Sequence, residues 1–309
     1  MTKRLYFTYL VLAFVLQSCN TYKRSFGETF TNTNLKNYNK IYRLDLSNKK
    51  LKKVPINFHK FKEIRMLNLS GNVSLNLNAV LNAIPNPEKI EVLILDSLHL
   101  KRIPNSILKL KNLNHISLNN NPNLNFKQAI TAIASLPIQF INLQQNNLEE
   151  IPVEISKITS LSSINLSNNH IQKPGVFKIL ESNKKLKSLW FTNNNIYNLP
   201  EEIGLLSNLK NLYLEHNQLN SLPNSMKQLK KLNVLHLGHN TFTELPVQLI
   251  HVPKLILLHI NNCNITKIST EFETEKYAIK GIVLDNNKLS EKDKIKWRKK
   301  FKSFFIAHF

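Results

Sequence analysis

The sequence predicts an α/β solenoid, in which short parallel strands line one face and helical or extended return segments line the other. Three observations lead to this prediction. The pattern LxxLxLxxN recurs eleven times from Ile41 onward, and successive copies start 23 to 26 residues apart. Within each copy, apolar residues alternate with polar ones, as in a half-buried strand. A single copy is too short to bury its own leucines, so neighbouring copies must stack.

The first element is a predicted lipoprotein signal peptide at residues 1–18. Two basic residues precede an apolar run of twelve, which is too short to span a bilayer as a helix but suits a secretory signal. The run ends in LQSC, which resembles a bacterial lipobox, so lipidation is expected at Cys19. The alternative is an ordinary signal peptide with an incidental cysteine. Residues 19–40 are polar and rich in turn formers, which predicts a tether to the membrane.

Residues 41–289 hold the repeat itself. In the copy that contains SLWFT, Leu189 and Phe191 are predicted to point into the core, while Ser188, Trp190 and Thr192 point outward. The pattern resembles the leucine-rich repeat family in its 23-residue LPxxL form. This resemblance covers nearly the whole mature chain, and it implies a curved horseshoe with a parallel β-sheet on its concave face.

A structural ladder is predicted at the ninth place of the pattern, where the chain leaves the strand and turns inside the stack. A buried amide there can donate to and accept from backbone groups that lack a sheet partner. Cys263 is expected to be a structural buried thiol, whereas Lys49 and Leu98 depart from the pattern. The predicted ladder consists of Asn72, Asn121, Asn146, Asn169, Asn194, Asn217, Asn240, Cys263 and Asn287.

The return segments are of two kinds. Short copies carry LPxxL-like closings, in which proline favours an extended or 3₁₀ segment. Longer copies show helical spacing at Leu75 to Ile84 and at Leu124 to Ile133, and Pro174 is placed to start a helix in a further copy. Mixed 3₁₀, extended and short helical segments are therefore expected on the convex face.

Residues 290–309 are predicted to form a C-terminal capping helix. Ser290 and Asp293 stand in a capping-box relation. A solenoid needs its last core covered, which favours a cap, while the alternative is a basic amphipathic helix lying on anionic lipid. The aromatic residues predicted to share one helical face are Trp297, Phe301, Phe304 and Phe305.

The balance of charged residues limits which classes of partner are expected. The chain carries 42 Lys and Arg against 20 Asp and Glu, a net charge of +22, but only six of the basic residues are arginine. Because nucleic-acid readers depend on bidentate arginine contacts, we expect no nucleic acid partner. Net charge alone is informative only about solubility and non-specific attraction. A compositional drift toward Lys, Asn and Ile explains much of the positive charge.

The predicted ligand-binding site lies on the concave face, at the residue between the two paired apolar residues of each strand. In four neighbouring copies this place holds a large ring. Exposed aromatic clusters often supply most of the binding energy of an interface, although neighbouring rings can also stack merely to shield a sheet. The site comprises Trp190, Tyr213, His236 and His259, with Phe140, Glu215, His216 and His239 beside them.

The sequence favours a binding protein rather than an enzyme. The histidines lie near Glu215 in the repeat, but no compact ligand motif fixes their geometry, so we expect no metal and no cofactor. No nucleophile with its base can be named. We therefore expect a lipid-anchored protein of the bacterial cell envelope, periplasmic or on the cell surface, that recognises a protein partner. Two alternatives stay open: attachment to anionic envelope or host glycans through dispersed lysines, and an intracellular signalling scaffold.

Overall fold

The computed structural model describes residues 29–32, 38–173 and 175–309. The chain divides into two compact units, Met1–Ile138 and Gln139–Phe309. The predicted signal peptide, its lipidation site Cys19 and Pro174 lie outside the described residues. In the part of the chain that is described, no helix has both the length and the apolar character needed to cross a bilayer.

The first unit is built on five short strands that pair in parallel in chain order. Their middle residues stand in register and are buried, as the leucine alternation predicts. Two helices begin after an asparagine whose side chain accepts from the third residue beyond it, an N-cap that sets the helix start. The elements are β1 (Thr29–Phe30), β2 (Arg43–Asp45), β3 (Met66–Asn68), β4 (Val92–Ile94) and β5 (His115–Ser117), helices α1 (Leu77–Ala83) and α2 (Phe126–Ile133), and 3₁₀ helices Tyr38–Lys40, Phe58–Lys60, Pro87–Lys89 and Asn105–Lys109.

The second unit continues the same plan with eight parallel strands, again paired in chain order. Each of its 3₁₀ helices follows a proline, whose fixed φ leads the chain out of the extended segment. The strands are β6 (Phe140–Asn142), β7 (Ser163–Asn165), β8 (Ser188–Trp190), β9 (Asn211–Tyr213), β10 (Val234–His236), β11 (Leu257–His259), β12 (Gly281–Val283) and β13 (Ile306–His308). The helices are α3 (Gly175–Leu180), α4 (Glu271–Thr274) and α5 (Glu291–Lys300), with 3₁₀ helices Val153–Lys157, Glu201–Leu205, Asn224–Gln228 and Val247–His251.

Ladder asparagines connect one copy to the next, as Asn217 illustrates. Its Nδ2 donates to the carbonyl oxygens of Phe191 and Leu214, each at 3.0 Å. Its Oδ1 accepts from the backbone N–H groups of Asn194 and Ile196, at 2.9 and 3.1 Å. One buried amide therefore satisfies four backbone groups, one in its own copy and three in the copy before it, none of which has a sheet partner at that point.

Three copies use other residues at the ladder position, namely Lys49, Leu98 and Cys263. Cys263 is buried, and its Sγ donates to the Leu237 carbonyl oxygen at 3.6 Å. Burial raises the pKa of this thiol, which keeps it protonated and able to donate. At Leu98 the turn keeps its shape because Asn121 of the following copy accepts from the backbone N–H groups of Leu98 and Leu100.

The two ends of the chain differ from the sequence prediction. Part of the predicted tether forms β1, whose backbone pairs with β2. At the other end, the predicted capping helix stops at Lys300, and Ile306–His308 forms β13 on the edge of β12. Trp297 and Phe301 are buried, which favours the cap over a helix lying on lipid, while Phe304 and Phe305 follow the helix rather than belonging to it.

Candidate functional site

The candidate site lies in the second unit, and the register of its strands determines which side chains it contains. The third residue of each strand stands on one face of the sheet, called here the open face, while the middle residue is buried. Parallel pairing in register places the third residues of β8 to β11 directly beside one another. We call these four residues the ring column: Trp190, Tyr213, His236 and His259.

Each ring of the column contacts its neighbours, and the contacts are stacked except for that between Tyr213 and His236, whose planes are tilted by 41°. Trp190 and Tyr213 are parallel, with ring centroids 5.1 Å apart and an angle of 2° between their planes. Tyr213 and His236 lie 4.7 Å apart, and His236 and His259 lie 4.2 Å apart. These separations follow the roughly 4.8 Å spacing of the strands beneath. Because Tyr213 and His236 each have a ring on both sides, it is the ring edges that remain available to a ligand.

Phe140 joins the column from a different place. It is the first residue of β6, two strands away from Trp190, yet the two rings meet edge to face at 6.0 Å. The intervening strand β7 carries Ser163 and Asn165 on this face, and these small side chains leave room for the contact. Phe140 thus covers the end of the column at Trp190.

Glu215 supplies the carboxylate of the site. Its Oε1 lies 2.7 Å from His236 Nδ1, and its Oε2 accepts from Thr192 Oγ1 at 3.1 Å. Burial raises the pKa of the Glu215 carboxyl. The hydrogen bond and charge of His236, together with hydrogen bonds from the Glu215 backbone N–H and from Thr192, lower this pKa by more than burial raises it. The net pKa lies below its ordinary value, so the carboxylate is charged at neutral pH and orients His236.

Two other side chains of the column have shifted pKa values. Burial, with a smaller contribution from the charge of His236, lowers the pKa of His259 to about 4. Burial and the charge of Glu215 raise the pKa of the Tyr213 hydroxyl. At neutral pH the column therefore presents an uncharged phenol and an uncharged imidazole, both able to donate one hydrogen bond.

His216 and His239 stand apart from the column in the turn that follows each strand. Their φ angles of 53° and 57° lie in the left-handed region, where Asn193 and Asn262 stand in the copies on either side. The two rings stack at 4.0 Å, and both are exposed. Burial and the charge of His216 lower the pKa of His239. The sequence signal for this turn is the place directly before the ladder residue, which favours Asn and tolerates His.

The structure adds residues that the sequence pattern did not indicate. His308, the third residue of β13, extends the row beyond Val283, and its Nδ1 lies 3.6 Å from Asp285 Oδ2. No leucine pattern marks β13, so only the pairing reveals His308. Thr192 was predicted to point outward, and the structure gives it the specific task of holding Glu215.

Small polar residues at the third place serve the fold. Asn142 and Asn165 each accept from the backbone N–H of the residue two positions later, at 3.1 and 3.0 Å. Asp45 and Asn68 do the same in the first unit. The rings of Trp190 and Tyr213 have no side-chain oxygen placed to accept from the backbone N–H two residues later. The strands of the ring column therefore lack this local hydrogen bond. Within the described ranges, no cluster of three or more His, Cys, Asp or Glu side chains is arranged to hold a metal ion.

Comparisons with known proteins agree with this architecture. A family model described as leucine rich repeat matches residues 184–242, which include the first three rings of the column. Among solved structures, TLR13 in its complex with ssRNA13 aligns with a TM-score of 0.62 at 19% identity, over 81% of this chain and 40% of that chain. An LRR protein of Leptospira interrogans aligns with a TM-score of 0.45 at 20% identity, over 91% of this chain and 99% of that chain. No curated protein sequence matches the chain.

The stacked parallel strands, the asparagine ladder and the proline-led return segments define a repeat solenoid whose open sheet face carries the variable side chains. The chain has a leucine-rich repeat fold, and residues 184–242 match the model of the leucine-rich repeat family. Proteins of this family are in general binding scaffolds rather than enzymes, and they commonly bind other proteins. At 19% identity, the likeness to the TLR13 structure shows the fold alone.

Proposed function

We propose that the ring column, with Phe140 and Glu215, binds a protein partner. The observation that carries this proposal is the unbroken row of ring contacts from Phe140 to His259 on the open face. Aromatic side chains that are already held in place lose little conformational entropy on binding, and such residues commonly dominate interface energetics.

The orientation of the rings supports a protein partner over single-stranded nucleic acid. Base recognition relies on free aromatic faces on which successive bases stack. In the column, the faces of Tyr213 and His236 are occupied by their neighbours, so a ligand meets ring edges and polar atoms. These edges suit carbonyl and carboxylate acceptors of a polypeptide, with the Trp190 indole N–H and the Tyr213 hydroxyl as donors.

Truncation of the column tests the proposal. A photo-crosslinking residue placed at Val283, beside His259, would first identify the partner in intact cells. Trp190→Ala and Tyr213→Ala should each weaken binding of the purified partner by about 2 kcal/mol or more, as hot-spot residues do. Melting should show only a modest loss of stability, because each variant removes two ring contacts worth about 1 kcal/mol each and leaves the buried leucines in place.

Lys227→Ala, in a 3₁₀ helix of the return segments, is the control and should bind as the wild type does. Full-strength binding by the Trp190→Ala/Tyr213→Ala double variant would place the site elsewhere.

We further propose that the protein is exported and anchored by lipid at Cys19. Support comes from the sequence alone: a basic start, a short apolar run and the LQSC segment. Acyl chains contribute about 0.8 kcal/mol per buried CH₂, so several chains hold a protein firmly at a membrane. Labelling with a radioactive or clickable fatty acid should mark the wild type, and Cys19→Ala should remove the label. Recovery of the wild type in the cytosol with Met1 still present would contradict the anchor and favour the intracellular scaffold.

A further inference from the structure

A second surface of the second unit collects lysines around a hollow of about 400 Å³. Five lysines line it, contributed by three successive copies of the repeat: Lys184, Lys185, Lys187, Lys210 and Lys231. No aspartate, glutamate, arginine, aromatic or aliphatic side chain belongs to the lining. The hollow lies where the chain enters the strands, whereas the ring column lies at the third residue of each strand.

The repeat fixes the place of these lysines. Lys187 and Lys210 directly precede β8 and β9, and Lys210 N donates to the Lys187 carbonyl oxygen at 2.7 Å. Lys187 N in turn donates to the Ser162 carbonyl oxygen at 2.7 Å, so the three residues form one row across neighbouring copies. Strands about 4.8 Å apart therefore carry cationic side chains side by side.

A second row lies on the other side of the buried leucine that starts each copy. Lys185, Asn208 and Lys231 each stand directly before that leucine. Asn208 holds this row together, because its Nδ2 donates to the Lys184 carbonyl oxygen at 3.0 Å and its Oδ1 accepts from Lys231 Nζ at 2.6 Å. An amide orients Lys231 without neutralising its charge.

The positive charge of the hollow is largely uncompensated. In the described part of the chain, no carboxylate lies within ion-pair distance of Lys185, Lys187 or Lys210. Lys184 reaches Glu181 at 3.6 Å, but the Lys184 side chain is 70% exposed, so this pair is weak. Adjacent cations without counter-charges favour a ligand that brings several anionic groups at once.

We propose that this hollow binds an acidic polysaccharide through its repeated carboxylate or sulfate groups. The lining suits a sugar chain because Ser160, Ser162, Gln139 and Asn208 place hydroxyl and amide groups among the ammonium groups, where they can bond to sugar hydroxyls. Nucleic acid would be served by arginine forks and by aromatic rings for the bases, and the lining has neither. The lining of the hollow contains none of the ring-column residues, so this proposal does not depend on the proposed function of the ring column.

Binding of defined probes tests the proposal. Titration of the purified protein should show binding of polygalacturonate, which carries carboxylates, or of dextran sulfate, at about 0.15 M salt. Neutral dextran should not bind. Comparison of the first two probes tells which anionic group the hollow prefers, and polythymidine of the same number of charges serves as the nucleic acid competitor.

A matched pair of charge variants separates the hollow from general attraction. Lys187→Gln/Lys210→Gln should weaken polysaccharide binding about tenfold, as expected for the loss of two ion pairs. Lys292→Gln/Lys299→Gln removes the same charge from the exposed surface of α5 and should change affinity less than about twofold. The Trp190→Ala/Tyr213→Ala variant should bind polysaccharide as the wild type does.

Three results would overturn the proposal. Equal weakening by the two lysine double variants would mean diffuse attraction by the net charge. Failure of the wild type to bind either acidic polysaccharide at about 0.15 M salt would exclude the site. Tighter binding of polythymidine than of both polysaccharides would assign the hollow to nucleic acid.

Discussion

At the scale of single residues, the side chains with clear tasks are those that exchange hydrogen bonds between copies. Ladder positions could be predicted from sequence because the turn leaves backbone groups without partners wherever the strand ends. The stacking of Trp190 on Tyr213 could not be predicted, since the pattern gives the side of the sheet but not the rotamer. Likewise, His216 and His239 were grouped with the ring column, whereas the structure places them in the left-handed turn.

Asn194 offers a test of the ladder. Its Nδ2 donates to the Leu166 and Thr192 carbonyl oxygens at 3.0 and 3.2 Å, and its Oδ1 accepts from Ile171 N. Asn194→Leu strands these groups inside the stack and should lower the free energy of unfolding by about 1–3 kcal/mol. Asn194→Cys should cost less, because a thiol can still donate, as Cys263 does.

Urea unfolding of the purified variants measures both effects. Asn220→Leu, at an exposed position, should stay within about 0.5 kcal/mol of the wild type. If Asn194→Leu were as stable as the wild type, the proposed role of the ladder would be wrong.

His259 makes the protein sensitive to acid. Burial is the main reason that its pKa in the folded chain is about 4 rather than the ordinary 6.5. Near pH 7 the imidazole is neutral in both states. As the pH falls below 6.5, His259 becomes protonated in the unfolded chain, whereas in the folded chain it stays neutral down to about pH 4. The free energy of unfolding therefore decreases as the pH falls through this window.

Replacement of the imidazole should flatten this dependence. His259→Asn uses the residue found at the same place in β6 and β7, and urea midpoints measured between about pH 7 and about pH 5 should vary less than in the wild type. His115→Asn should flatten the curve in the same way, because burial also lowers the pKa of His115 to about 4. His170→Asn, at an exposed site, is the control. Identical pH slopes in all four proteins would refute the assignment.

At the scale of elements, long periodic segments were predictable and short edge strands were not. Helices α1 and α2 follow from helical spacing, and the 3₁₀ helices of the second unit follow from the prolines that precede them. β1 and β13 have no such signal. Each is only two or three residues long and lies in a segment of different character, so only pairing with a finished sheet defines it.

The C-terminal helix α5 should contribute strongly to stability. Trp297 is 1% exposed, and Lys296 Nζ lies 2.6 Å from Glu273 Oε1, which ties the helix to α4. Trp297→Ala should lower the free energy of unfolding by about 3–5 kcal/mol, because it removes a large buried side chain and leaves a cavity. Ile295→Ala in the same helix is the control, since Ile295 is 65% exposed. Chemical denaturation compares them, and equal stability of the two variants would contradict the role of α5 as a cap.

At the scale of the whole molecule, the repeat fixes what is buried and leaves the outward positions free. Buried places recur because every copy must cover the leucines of its neighbour. The outward places carry two different chemistries in the second unit, rings at the ends of the strands and lysines at their beginnings. The rings could be located from the sequence, because alternation assigns them to the open face. The grouping of the lysines could not, because it depends on rows formed by residues about 23 positions apart.

Tension on the chain would meet resistance one copy at a time. Neighbouring strands such as β10 and β11 pair over only three residues. A force applied to the C-terminus therefore acts on one strand pairing at a time, and the copies are expected to unfold in sequence. Release of one 23-residue copy frees roughly 80 Å of extended chain before the next copy bears the load. A chain that is pulled at both ends would thus lengthen in steps of one copy rather than unfold all at once.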